Sequence, residues 1–253
     1  MTWEWLPPTL VLIVLVVGIY LTRPATAGAP SARASLVRRS PEMIASRLRQ
    51  RAAGTAPAVY LSFAVRTAGT VLRTFTRRSD PARWRRADSL SPTWDSRTAQ
   101  MAALISPGAS VIEFGAGRQA LRTLLPAGCT YVPCDLVDRG GGTRVVDLNA
   151  RRLPRFGQYD VAVLSGVLEY VHDVPRLIDR LAADSSSAIV SYAAVDVQDP
   201  NQETGRDRLM RRSHGWVNDY TSREIMTMFT RAGFTCVHTG AWNDQEIYQF
   251  TRK

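Results

Sequence analysis

Glu113, Gly115 and Gly117 stand close together in the stretch Ser110-Val-Ile-Glu-Phe-Gly-Ala-Gly-Arg118. A carboxylate at the end of an apolar run is costly to bury unless it meets a cation. The two glycines that follow let the backbone turn sharply and approach a ligand with no Cβ in the way. Together they suit a ligand that carries an ammonium, and they disfavour a bare pyrophosphate, which the carboxylate would repel. Farther on, Asp135 ends a second apolar run. An acid at that place can accept hydrogen bonds from both hydroxyls of a ribose.

These residues need a frame. Val111, Ile112 and Phe114 are β-branched or aromatic and read as a short buried strand, followed by the glycine turn and a helix over Gln119 to Leu125. Further strands are expected over Thr130 to Cys134, Thr143 to Val146, Val161 to Leu164 and Ala188 to Ala193, with an amphipathic helix over Pro175 to Ala183. Thr221 caps a helix over Ser222 to Ala232, with Glu224 completing a capping box and Gly233 ending it. Two closing strands follow, Phe234 to Gly240 and Glu246 to Thr251. Strands alternating with helices predict an α/β fold with a mostly parallel sheet.

The acid-x-Gly-x-Gly pattern at Glu113, Gly115 and Gly117 resembles motif I of the class I S-adenosylmethionine-dependent methyltransferases. The resemblance runs from about residue 88 to residue 253. It implies a Rossmann-like seven-stranded sheet with helices on both faces and an antiparallel last strand, with S-adenosyl-L-methionine as cofactor. It implies that Glu113 holds the donor's ammonium, with Phe114, Gly115, Ala116 and Gly117 around its carboxylate and ribose. Asp135 and Leu136 follow at the ribose, and Asp147 and Leu148, after the third strand, at the adenine. Ser165 and Gly166, at the end of the fourth strand, resemble the start of the motif that faces the transferring methyl. The family commonly has Glu-His in the short helix after it, where this chain has Glu169-Tyr170. Gln119 stands where the fuller motif has a third glycine. A helix over Pro92 to Ile105 resembles the one that often covers the cofactor.

A general base is needed only where the acceptor must lose a proton. His214, Asp219 and His172 are the candidates. The polar run Val195 to Asp219 contains Arg206, Arg208, Arg211 and Arg212 and reads as a long loop of the kind that binds ligands. Its arginines suggest an anionic acceptor, a phosphate, pyrophosphate or carboxylate.

The net charge of +10 is unevenly placed. Residues 1–87 hold fourteen arginines against Glu4, Glu42 and Asp80, whereas the remainder is nearly balanced. Trp5 to Leu21 is apolar apart from Thr9 and about long enough as a helix to cross a membrane. A cleaved signal peptide is the alternative, but the first residues lack Lys and Arg. Arg23, Arg33, Arg38 and Arg39 follow the segment, which by the positive-inside rule puts the bulk of the chain in the cytoplasm. The organisation expected is therefore a transmembrane anchor over 1–22, a basic linker over 23–87 and a methyltransferase domain over 88–253. Within the linker, Pro41 to Ala53 reads as a short basic helix and Ala58 to Arg78 as an amphipathic one. In the latter, Ser62, Arg66, Thr70, Arg73 and Arg77 form a polar face suited to anionic headgroups. Cys129, Cys134 and Cys236 have no metal-ligand spacing and read as buried reduced thiols; no metal site is expected.

The reading that unites these signals is a membrane-anchored, cytoplasm-facing methyltransferase. Its partners would be the lipid bilayer and a small-molecule, glycan or lipid-linked acceptor. No aromatic-interleaved basic motif points to nucleic acid. Two alternatives stay open. Gly115-x-Gly117-x-x-Ala120 also satisfies the loose dinucleotide fingerprint of an NAD(P)-binding reductase. Gln119 and the lack of an evident base fit a catalytically inactive methyltransferase-like scaffold in a membrane enzyme complex.

Overall fold

The computed structural model describes residues 56–198 and 205–252. The anchor expected over 1–22 and the helix expected over Pro41 to Ala53 lie outside the described residues. Among the described residues, no helix is long and apolar enough to cross a membrane.

Seven strands form one Rossmann-like sheet: β1 (Ser110–Phe114), β2 (Thr130–Asp135), β3 (Arg144–Val145), β4 (Tyr159–Ser165), β5 (Ser185–Tyr192), β6 (Phe234–Trp242) and β7 (Gln245–Arg252), in the order β3-β2-β1-β4-β5-β7-β6. The pairings from β3 through β5 are parallel, and β7 runs antiparallel to both β5 and β6. The order reverses direction at β1. β1 pairs with β2 on one side and β4 on the other, which opens a crevice beyond the carboxyl ends of these strands.

Eight helices accompany the sheet among the described residues. They are α1 (Ala56–Thr76), α2 (Pro81–Trp84), α3 (Asp95–Ala102), α4 (Leu121–Leu124), α5 (Val174–Asp184), α6 (Val195–Gln198), α7 (Gly205–Ser213) and α8 (Ser222–Arg231). α5 starts where the Asp173 side chain accepts from the Arg176 amide, and it buries Val174, Leu177, Ile178 and Leu181, the stripe that helical periodicity requires. α8 carries the capping box of Thr221 and Glu224 expected from sequence. These two helices cover one face, on a core that includes Ile112, Leu164, Val190 and Tyr248. Phe229 of α8 stacks there on Phe250, with ring centroids 3.9 Å apart. On the other face Met101 and Ala102 of α3 and Leu121 of α4 pack on Val111, Val161, Val163 and Ile189. Of the three cysteines only Cys134 is buried.

Three local expectations are corrected. The helix read over Gln119 to Leu125 is the single turn α4, because Gln119 adopts φ +57° and Pro126 closes the other end. The run Val195 to Asp219, read as one loop, contains α6 and α7. In α1 the burial inverts the expected amphipathic pattern. Thr67 and Thr70 are buried, while Val65, Leu72 and Phe75 are 62%, 60% and 75% exposed. α1 packs along α7 rather than on the sheet, so its small polar face is the one that fits against the protein.

Candidate active site

β1 ends at Phe114, and the chain turns through Gly115 (φ +66°) and Gly117 (φ +50°). A Cβ on Gly115 would lie 2.6 Å from Val167 Cγ2, so the turn admits only glycine there. The Ala116 amide donates to Cys134 O (3.0 Å) and the Gly117 amide to Asp135 Oδ2 (2.9 Å), which pins the turn against the end of β2. Beyond it lies a cavity of about 400 Å³ at the carboxyl ends of β1, β2 and β4. The structure brings together all eleven residues that the sequence assigned to the cofactor. Glu113, Phe114, Gly115, Ala116, Gly117, Asp135, Leu136, Asp147, Leu148, Ser165 and Gly166 each line this cavity.

Gln119 does not narrow it. Its side chain points to the loop before β3, where Nε2 donates to Gly140 O (2.9 Å) and Thr143 Oγ1 (3.0 Å). Arg122 completes the arrangement by donating to Gln119 Oε1 and Gly141 O.

Glu113 is 3% exposed and accepts a short hydrogen bond from the Tyr131 hydroxyl. Burial pushes its carboxyl up to about 7; the Tyr131 hydrogen bond opposes this, Asp135 adds to it, and Arg97 draws it back. A neutral acid near pH 7 is poised to ionise when a ligand ammonium arrives. The linkage has two signs. In the ligand-free protein the raised pKa stabilises the fold below the ordinary carboxylate range, and that contribution is lost as pH rises through about 7. Binding of an ammonium ligand runs the other way, because pairing requires the carboxylate. We therefore expect S-adenosylhomocysteine to bind more weakly as pH falls from 7.5 to 5.5, with uptake of ligand releasing a proton. Calorimetry in buffers of different ionisation enthalpy measures that release, and Glu113→Gln should abolish it.

The residue that sequence reasoning missed is Arg97. It projects from α3, is 5% exposed, and lines the cavity. Its Nε donates to Ser165 Oγ (2.8 Å), Nη2 to Ser165 O (3.1 Å) and Nη1 to Gln245 Oε1 (2.7 Å). Its guanidinium lies between the rings of Trp94 and Trp242, 5.7 and 5.2 Å from their centroids. Gly166 (φ +63°) makes room for it, since a Cβ there would lie 2.6 Å from Nη1. A signal was available in the sequence. Arg97 and Met101, four residues apart, share the buried face of α3, where a cation without a function would be expensive.

The segment ahead of the expected domain boundary also builds the wall. Arg78, Ser79, Asp80, Arg83 and Trp84 line the cavity. Ser79 Oγ donates to Asp147 Oδ1 (2.6 Å), and Asn149 Nδ2 donates to Ser79 Oγ (2.9 Å) and Tyr170 O (2.9 Å). Arg83 Nη1 donates to His214 O (2.6 Å), and its guanidinium lies over the rings of Trp84 and Tyr170. Trp216 Nε1 donates to the Tyr170 hydroxyl (3.2 Å). Trp84, Trp94, Trp216 and Trp242 all line the cavity.

Of the three base candidates, His214 alone reaches this cavity. Burial, and then Arg83, hold its imidazole below the usual histidine value, so it is neutral at pH 7. His172 is turned away, with Nε2 3.3 Å from Arg78 O and its amide donating to Asn149. Asp219 is consumed by Arg211 Nε (2.9 Å) and Arg212 Nη2 (2.5 Å). The same pairing corrects the reading of two of the four arginines in the run Val195 to Asp219. Arg211 and Arg212 hold their own segment together instead of facing a ligand, and Arg206 lies where its side chain is not described. The cations of the cavity wall come instead from Arg73, Arg78, Arg83, Arg97 and Arg118.

The donor set fits S-adenosylmethionine. Glu113 is a buried acid awaiting a cation, Gly115 and Gly117 set bare backbone at positive φ on the cavity wall, Asp135 offers a carboxylate at the end of β2, and Arg97 offers a cation for a carboxylate.

The sequence profile of a family described as a methyltransferase domain matches residues 83–239. None of the curated proteins matches the chain in sequence. Among solved structures, the fold is similar to that of a proposed O-methyltransferase from Nostoc punctiforme PCC 73102, with TM-score 0.58 and 14% identity over 76% of this chain and 71% of that one. It is also similar to the 1,6-didemethyltoxoflavin-N1-methyltransferase of Burkholderia thailandensis, solved with S-adenosylhomocysteine bound. There the TM-score is 0.51 and the identity 15%, over 88% of this chain and 94% of that one. The calicheamicin-biosynthesis methyltransferase CalO1 matches with TM-score 0.48 and 17% identity over 64% of this chain. The match spans only 54% of that protein's length.

Proposed function

We propose a membrane-associated methyl transfer for this chain, which belongs to the class I S-adenosylmethionine-dependent methyltransferases by its family match over residues 83–239. Bound in the cavity, S-adenosylmethionine supplies a methyl group activated by its sulfonium charge. Glu113 holds the ammonium of the methionine moiety and Arg97 its carboxylate. Asp135 holds the ribose, and Asp147, steadied by Ser79, faces the adenine. What remains for the protein is alignment and exclusion of water. Trp84, Trp94, Trp216 and Trp242 exclude water, and His214 Nδ1 or Nε2 takes a proton where the acceptor is a hydroxyl.

The acceptor is a membrane-associated molecule, a lipid-linked or glycan compound with an anionic group, met at the cytoplasmic face. One observation carries this reading: the wall contributed by residues 73–84 brings Arg78 and Arg83 to the cavity together with the indole of Trp84, over which the Arg83 guanidinium lies. Guanidinium groups bind phosphate or carboxylate, and indole faces accept a sugar ring or isoprenoid. The apolar run Trp5 to Leu21 and the arginines after it support the location.

Two measurements test it. The full chain should stay with membranes through a high-salt wash and leave only with detergent. Incubated with methyl-labelled S-adenosylmethionine and total membrane lipid, it should place label in the organic extract. Full-rate methylation of a small water-soluble acceptor, with none in the lipid fraction, would overturn the acceptor class.

A further inference from the structure

We propose that α1 lies along the surface of a bilayer containing anionic lipid, with Val65, Leu72 and Phe75 inserted among the acyl chains. This rests on the membrane reading above and adds a second, separate contact to it.

Single exposed apolar side chains are ordinary, and Leu124, Val145, Met226 and Val237 are scattered examples on this protein. Val65, Leu72 and Phe75 differ because they are spaced seven and three residues apart on one helix, which sets them on one stripe. The opposite face, through Thr67 and Thr70, is the buried one. A helix that buries threonines and leaves a phenylalanine 75% exposed has its apolar face turned to something other than its own domain.

Charge selects the occupant. Residues 62–86 contain seven arginines and a single acid, Asp80. Asp80 pairs with Arg73 (3.1 Å). Arg66, Arg77, Arg78, Arg85 and Arg86 are exposed. Arg66 lies on α1 itself and the other four follow its end at Thr76; an apolar stripe on a helix in so basic a segment is the pattern of a helix lying in the headgroup layer, where each cation near the surface adds to the attraction. Arg77 and Arg86 also make exposed ion pairs, with Asp173 (3.8 Å) and Asp88 (2.7 Å); a protein partner with an apolar groove would match the stripe but not use the excess positive charge around it.

The contact has a consequence for the site. α1 runs directly into the segment whose Ser79 holds Asp147 and whose Arg83 and Trp84 line the cavity. The chain that touches headgroups is thus the chain that walls the acceptor side, so an acceptor held in the same leaflet meets the enzyme where its wall is built.

The test places the photo-crosslinking amino acid benzoylphenylalanine at position 75 of the full chain. The protein is reconstituted in vesicles of phosphatidylcholine alone or with about one third phosphatidylglycerol. Irradiation should give a lipid adduct on the peptide containing position 75, at least fivefold more with the anionic vesicles. The same probe at Val237, exposed on β6, should give none. A crosslink to a second copy or to residues 1–55, or no adduct at all, overturns the proposal. The salt-wash measurement reports on the first segment independently. A chain that resists salt but gives no lipid adduct at position 75 sinks this inference alone, and a chain released by salt that still gives the adduct sinks only the anchor.

Discussion

Asp135→Ala lowers the affinity for S-adenosylhomocysteine about 100-fold, a loss of about 2.7 kcal/mol, in a chain that stays folded. Asp135 sits at the end of β2 with 6% of its surface exposed, and in the ligand-free protein its carboxylate is a hub. Oδ2 accepts from the Gly117 amide (2.9 Å), Oδ1 from the Val137 amide (3.1 Å), and Arg139 Nε lies 3.4 Å from Oδ2. Each hydrogen bond from a ribose hydroxyl to a carboxylate contributes about 1.5–3 kcal/mol. Losing two of them would remove about 3–6 kcal/mol, but the carboxylate already shares its oxygens with the Gly117 and Val137 amides, so the expected loss lies just below that range. Asp135→Asn keeps one oxygen as an acceptor and exchanges the other for a donor, so it should fall between, near a tenfold loss (about 1.4 kcal/mol). Calorimetric titration with the thermal melt recorded beside it separates binding from folding. An alanine variant that binds within threefold of the unaltered protein would remove Asp135 from the cofactor's reach.

The second large effect is on stability. Arg211→Ala should cost about 3–5 kcal/mol of unfolding free energy. Its guanidinium is almost wholly enclosed. Nε donates to Asp219 Oδ1 (2.9 Å), Nη1 to Ala193 O (2.8 Å), and Nη2 to Asn218 O (3.2 Å) and the Tyr192 hydroxyl (3.3 Å). The same group lies 4.7 Å from the Trp216 ring centroid. Truncation leaves the buried Ala193 carbonyl and the half-buried Asn218 carbonyl with a partner missing and loosens the segment that carries His214 and Trp216 to the cavity. Lysine restores the charge without the fork and should recover less than half of the loss. Urea unfolding checks this. Unchanged stability with a weakened acceptor would return Arg211 to the ligand-facing role that its place in an arginine-rich run suggests.

Glu113 and Arg211 show how differently two charged residues can be read. Glu113 was legible because its neighbours are local. The strand before it and the glycines after it lie within a few residues, and a carboxylate in such a run requires a cation. The seven strands were legible for the same reason, since period, caps and turns are short-range properties; the antiparallel direction of the last strand came from the family resemblance. The capping box at Thr221 and Glu224 is another example, present as read.

Arg211, Arg97 and Ser79 were not legible, because their meaning depends on partners far along the chain. Arg97 is defined by Ser165 and Gln245, Ser79 by Asp147, and Arg83 by the carbonyl of His214. No window of sequence contains both ends of such a contact. Composition made residues 23–87 a basic linker, whereas residues 73–84 help to wall the cavity. The amphipathic pattern of α1 was visible in the sequence, but which face would be buried was not. Periodicity gives the separation of two faces, and only the neighbouring helix α7 sets which one is covered. Local covalent order was enough to mark the strands and the glycine turn and to single out Glu113, Asp135 and Asp147, which line the cavity. That His214 rather than Asp219 or His172 lines the cavity, and Arg97 and Arg83 rather than Arg211 and Arg212, was decided by packing. Packing consumes some charges as internal partners and leaves others facing the cavity.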